Sequence, residues 1–250
     1  MRAPTVRATA RWTPRGAAAL LTTALLAAAL PAQAGRPLQT DDAGVLGPGE
    51  CELELVSARA RESDLRAREF AVQAGCHAGA LGQLALGLSR ARAEAGGESA
   101  RASGIELNGK LPIVAPRDEA GTAWSLGWSL QWARAAGERR RHAASGVTLV
   151  TTAPLGPDWS LHADLGHERD EIGRQRSTVW GFALEHAGLG PGAALAPMAE
   201  LFGDDRGAPW WNLGLRLALQ PERLFVDVSW GRQITGGRPQ LLTLGAKLAF

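Results

Sequence analysis

From residue 50 to the C-terminus, apolar residues recur at every second position, with small or polar residues between them. A period of two is the mark of a β-strand with chemically different faces. In the last segment Leu242, Leu244, Ala246, Leu248 and Phe250 share one face, while Thr243, Gly245 and Lys247 share the other. Leu224, Val226, Val228 and Trp230 repeat the pattern, as do Trp211 to Leu219 and Trp124 to Trp132. Similar strands are predicted near 50–58, 68–77, 83–93, 102–113, 143–152, 158–168, 177–186 and 195–203. The total is about 12, an even number that returns both ends to one side of a closed barrel. The segment 57–70 also holds good helix formers, but the agreement of parity on its two flanks favours an extended hairpin.

The connections divide into two kinds. Those at 78–82, 154–157 and 220–223 are short and turn-like. Those at 95–100, 135–140, 169–175, 204–209 and 232–239 are charged and mostly longer. Short turns on one side and long loops on the other are expected of an outer-membrane barrel. The polar face consists largely of Gly, Ala and Ser, the other of Leu, Val and Trp. A lumen lined by small residues and a few charges, with lipid outside, accounts for both faces better than a soluble sandwich does. The fold class expected is all-β, an antiparallel transmembrane β-barrel.

The first 34 residues have a different character. Arg2, Arg7, Arg11 and Arg15 precede an apolar run from Gly16 to Leu30, and Ala32-Gln33-Ala34 supplies small residues for cleavage. This is the pattern of a secretory signal peptide. The run is shorter than the roughly 20 residues that a spanning helix needs. The expected organisation is a signal peptide at 1–34, a periplasmic N-terminal extension at 35–49 and the barrel at 50–250.

Cleavage alters the charge balance. The chain has 27 Lys+Arg against 25 Asp+Glu. Removing the four signal arginines reverses the sign of the net charge, so nothing in it favours nucleic-acid binding. The 31 glycines argue against a helical bundle. Trp124, Trp159 and Phe250 would fall near the inner membrane interface, and Trp132, Trp180, Trp211 and Trp230 near the outer one, as aromatic girdles do. Trp128 lies mid-strand and fits neither girdle.

Candidate functional residues follow from the faces. Glu106, Lys110, Asp164, Glu185, Glu200, Arg216, Asp227 and Lys247 occupy the polar face and would form a charge network in the lumen. Glu106, Glu185 and Glu200 are the expected partners of Lys110, Arg216 and Lys247, either as a selectivity filter or as a structural plug. Cys51 and Cys76 have compatible positions. In a hairpin centred on Ser63-Asp64 they oppose each other, with Cα atoms about 4.5–5.5 Å apart, within reach of a disulfide. Arginines at 59, 61, 66, 68, 139, 140, 141, 174 and 176 cluster at the supposed outer ends. They either bind lipopolysaccharide phosphates or form a mixed solvated surface with the neighbouring acids. His162 and His167 have opposite parity, and their spacing matches no zinc motif. No nucleophile elbow, HExxH, P-loop or dinucleotide fingerprint is present, so neither catalytic nor metal-binding residues are expected, and no cofactor.

The opening RPLQTDDAG, Cys51 in the first strand, the second cysteine in AGCHAG, AELFGDD near residue 200 and the closing LTLGAKLAF resemble a family of bacterial outer-membrane transporters, also described as MetA-pathway of phenol degradation proteins. The resemblance spans residues 35–250. It implies an outer-membrane barrel concerned with passage of aromatic or other small compounds. Phe250 looks like the signal read by the barrel-assembly machinery. The function expected is a non-enzymatic channel or transporter for a small solute in the bacterial outer membrane. Its expected partners are outer-membrane lipid, lipopolysaccharide and the assembly machinery. The rival reading is a structural or surface-interaction barrel with a plugged lumen. A lipid-modifying enzyme would need Ser and His adjacent on the lipid-facing wall.

Overall fold

A computed structural model describes residues 38–116 and 121–250. The expected signal peptide lies outside the described residues. Twelve antiparallel strands form one closed barrel. They are β1 Cys51–Glu62, β2 Leu65–His77, β3 Gln83–Ala95, β4 Glu98–Val114, β5 Ala123–Ala135, β6 Arg141–Pro154, β7 Trp159–Asp170, β8 Gln175–His186, β9 Leu195–Asp204, β10 Trp210–Gln220, β11 Leu224–Gln233 and β12 Gln240–Ala249. Each strand pairs with its neighbours in sequence, and β12 returns to pair with β1. The seam is sealed at its end by reciprocal backbone bonds between Cys51 and Phe250, at 2.8 and 2.9 Å. Closure leaves no edge strand, so every strand has a hydrogen-bonding partner on both sides.

The faces are inverted relative to a soluble protein. Inward positions include the buried Glu52, Glu54, Gln73, Ser125, Ser129, Thr148, His162, Glu200, Asn212 and Asp227. Large apolar side chains stand outside: Phe70, Leu86, Leu88, Leu165, Phe182, Leu213, Leu219 and Leu244 are each at least half exposed. Water would penalise such a surface, whereas lipid would not. Trp128 also faces outward, opposite Gly109. A methyl group on Gly109 would meet the Trp128 ring at 2.8 Å, so the glycine lets the indole lie flat on the wall.

The expected difference in loop length is absent. At the end away from the termini, the links are Ser63-Asp64, Gly96-Gly97 and residues 136–140, 171–174, 205–209 and 234–239. At the terminal end they are residues 78–82, 115–122, 155–158, 187–194 and 221–223, which are no shorter. The charged stretch 57–70 is the extended hairpin expected, with β1 and β2 paired down to Glu62↔Leu65. The link expected at 95–100 shrinks to Gly96-Gly97, because β3 and β4 pair down to Ala95↔Glu98. Charge does not prevent ladder formation where both faces are wet, because the backbone bonds are the same. Gly96 and Gly97 have φ of 58° and 83°, the left-handed conformation that a tight two-residue hairpin link requires.

Cys51 opposes Cys76 in the β1–β2 register and is bonded to it, with Cα atoms 4.1 Å apart. The bond closes a 25-residue separation. In the Cys76→Ser variant, the unfolding free energy should fall by about 3 kcal/mol, the chain-entropy value for a loop of this order. Urea titration of heat-modifiability in detergent would show it, and an unchanged midpoint would make the bond dispensable.

Candidate functional site

Inside the barrel lies a segment that the strand pattern did not place there. Residues 38–46, expected within a periplasmic extension, run along the inner wall from the start of β1 towards the opposite side. An extended segment cannot hydrogen-bond to itself, so the wall must satisfy its backbone. Inward side chains do so one by one. Glu200 on β9 accepts bonds from the N–H groups of Gln39 and Thr40, at 2.9 Å each. Asp164 on β7 accepts from the Asp41 N–H at 2.7 Å, Thr152 on β6 from Ala43, and Gln83 on β3 from Leu46. The carbonyls are served as well: Lys110 on β4 donates to Asp42, and Ser125 on β5 to Ala43. The ring of His77 on β2 lies 2.8 Å from the Leu46 carbonyl.

Packing supports the same path. Leu38 is buried with Ala183, Ala196 and Met198 on the β8–β9 wall. Gly181 faces Thr40 so closely that a Cβ there would overlap the threonine side chain. Lys110 also pairs with the Asp41 carboxylate at 2.9 Å. Burial pushes that carboxyl up to about 6, against the pull of Lys110. At Asp42 burial acts in the same direction, but Lys110, His162 and Lys247 outweigh it and hold the group below its ordinary range.

All eight residues of the expected lumen network face inward, but their partners differ from expectation. Of the carboxylates expected to pair with lysine or arginine, Glu185 approaches Arg216, at 3.9 Å. Arg216 bonds mainly to Asp227 across the β10–β11 pair, at 2.8 Å, and lies over the Phe225 ring. Lys247 pairs with Glu52, and Glu54 lies 4.0 Å away. Glu106 accepts from Asn108, which also donates to Gln73. Glu200 holds Asn212 besides the segment backbone. His162 bridges Thr152 and Glu185 at 2.9 and 3.1 Å. Sequence reasoning missed Asp41, Glu52, Glu54 and His162 as members of the network. The alternation in CELELV and the shared parity of His162 with Asp164 carried the signal for three of them. Asp41 lies outside any periodic segment.

The segment divides the lumen. On the loop side is a cavity of about 750 Å³, reaching from Thr40 and Asp41 to the rim at Glu62, Arg206 and Pro239. On the terminal side is a smaller space of about 230 Å³, lined by Asp42, Glu52, Lys110 and Lys247 among others. The charges are divided in the same way. Lys110, Arg216 and Lys247 all lie on the terminal side or at the segment. The acids bordering the large cavity include Glu69, Glu106, Asp164, Glu168 and Asp204, and they outnumber the arginines there, Arg61, Arg68, Arg169 and Arg206. Alanines cover much of the rest of its wall, and Phe202 and Trp210 stack at 6.1 Å beside it.

A family profile described as "Uncharacterised conserved protein UCP029691" matches residues 22–250. The chain belongs to this family. No curated protein matches it in sequence. Among solved structures, the chain is similar to the COG4313 outer membrane channel from Pseudomonas putida F1, with TM-score 0.53 and 12% identity over 82% of this chain and 97% of that one. The transport unit of the autotransporter AIDA-I from Escherichia coli also gives 0.53, with 12% identity over 96% and 100%. A KdgM porin in complex with disordered oligogalacturonate gives 0.50, with 9% identity over 79% and 99%. At these identities the likeness is one of fold: a closed, outer-membrane type of β-barrel.

The Asp227 side chain is almost wholly buried against Arg216, being 1% exposed. Arg216→Ala should therefore cost roughly 3–5 kcal/mol, the penalty of an uncompensated buried charge. The double variant Arg216→Ala with Asp227→Asn should recover part of it. Urea unfolding of the three proteins in the same detergent checks this. A single variant as stable as the wild type would remove the network's structural role.

Proposed function

We propose that this chain is a non-catalytic channel of the bacterial outer membrane that admits small solutes, positively charged ones before anions, with residues 38–46 as its constriction. The observation that carries the reading is a water-accessible lumen in an inverted barrel, acidic on the loop side and crossed by one peptide segment. An excess of carboxylates along the wall of a narrow pore raises the local concentration of cations. The fold shared with an outer-membrane channel supports the reading. So does the resemblance of RPLQTDDAG to the phenol-degradation transporters, since the later part of that motif is the segment in the lumen. The stacked Phe202 and Trp210 are suited to a solute with an aromatic body. Phe250, exposed at the end of the closing strand, fits the role of an assembly signal. The outer apolar belt fits membrane lipid, and the loop end would face the outer leaflet and its lipopolysaccharide.

The bonds that hold the segment also favour a second reading, a structural barrel with a permanent plug. Planar-bilayer recording separates the two. The intact protein should conduct weakly. Deletion of residues 38–46 should raise the unitary conductance several-fold, because Lys110 and Glu200 would then face water. Reversal potentials in a potassium chloride gradient should show cation preference, reduced in Glu106→Gln with Glu168→Gln. No conductance from the intact form, with conductance from the deleted one, would favour the plug and overturn the channel.

A further inference from the structure

The outer wall is not uniform around the barrel. Trp132, Trp180, Trp211 and Trp230 lie on the outer face of β5, β8, β10 and β11 towards the loop end. Strands β1 to β4 carry no tryptophan. Their outer face at that end is arginine instead. The register places Arg59 opposite Arg68, Arg68 opposite Arg92, and Arg92 opposite Arg101. Four guanidinium side chains therefore stand in one row across four adjacent strands, and all four residues are exposed. Arg61 and Arg66 form a pair in the next row towards the rim. Arg90 lies one row towards the middle, opposite Phe70. Glu94 is the carboxylate on this face, and it is bound to Arg92 at 2.8 Å.

Neighbouring strands are only about 4.8 Å apart, and like charges directly opposite each other destabilise a sheet. A row of four is thus an arrangement that a bound anion would relieve. Its depth identifies the anion. Two rows below the arginines, the same face becomes Leu55, Val72, Leu88 and Ile105, and below that Leu53, Ala74, Leu86 and Leu107. The guanidinium row therefore lies just beyond the apolar belt, where lipid headgroups meet water. Guanidinium binds phosphate through paired, charge-assisted hydrogen bonds.

We propose that the outer face of β1–β4 is a binding site for the phosphate groups of an anionic membrane lipid, with Arg59, Arg68, Arg92 and Arg101 as its ligands. The other arc of the barrel carries tryptophan on its outer face towards the loop end instead, so the lipid contact is specific to one sector. Placement at a membrane rests on the function proposed above, but the site does not depend on passage through the lumen.

The test uses the full chain folded in neutral detergent, with bisphosphorylated lipid A as the probe. Lipid A should raise the temperature at which the barrel loses its heat-modifiable form. Dephosphorylated lipid A should raise it much less, and inorganic phosphate should leave it unchanged. The triple variant Arg68→Gln, Arg92→Gln and Arg101→Gln should fold, keep its disulfide and lose most of the lipid A response. Arg176→Gln, on β8, should retain the response. An equal response to dephosphorylated lipid A, a response to free phosphate alone, or an unchanged triple variant would overturn the site. A chain that inserts into bilayers yet ignores lipid phosphate would sink this site alone. One that fails to insert would sink the membrane placement with it.

Discussion

Backbone amides and carbonyls without water must find partners in protein, and that requirement governs both surfaces of this molecule. On the wall it is met by ladder pairing all the way round, including the β1–β12 seam where Cys51 and Phe250 exchange bonds. Once the ladder closes, side-chain parity is set for every strand. One set of alternate residues meets whatever lies outside and the other meets the lumen. Leucine and phenylalanine outside with glutamate, asparagine and serine inside is the arrangement that suits lipid outside and a wet interior.

The same requirement explains why the lumen is so rich in buried polar groups. They are not only ion pairs. Glu200, Asp164, Thr152, Ser125, Gln83 and Lys110 each bind a backbone group of residues 39–46. A segment with no ladder of its own needs such a set of side chains at matching heights. The charged pairs beyond it, Arg216 with Asp227 and Lys247 with Glu52, occupy the terminal half, where the open space is smaller. The loop half is lined by more acids than arginines and has a large open volume. A barrel of 12 strands lies between filled 8-stranded ones and open porins. Here the two halves of one lumen follow the two regimes.

Outside, a single register places a disulfide, an apolar belt and an arginine row on one face of β1–β4. A one-residue slip in any pair would turn the arginines inward and the alanines outward. Ala93 and its neighbours Ala67, Ala91 and Ala102 pack together on the inner side of the same strands. Small residues inside leave room for the cavity, and long cations outside reach towards water.

Much of this was legible in the residues alone. Alternation has a fixed physical meaning, so twelve strands, their faces and the inward direction of Glu106, Lys110, Asp164, Glu185, Glu200, Arg216, Asp227 and Lys247 could all be read from it. The hairpin centre at Ser63-Asp64 placed Cys51 against Cys76 for the same reason. Partners could not be read, because the residue facing Lys110 across a lumen depends on strand tilt and shear, which leave no local trace. The charged stretch at 95–100, read as a long loop, proved to be mostly strand around Gly96-Gly97, since composition reports solvent and not backbone pairing. The position of residues 38–46 was decided only in three dimensions. An irregular segment has no period, and its place is fixed by donors and acceptors contributed by seven different strands.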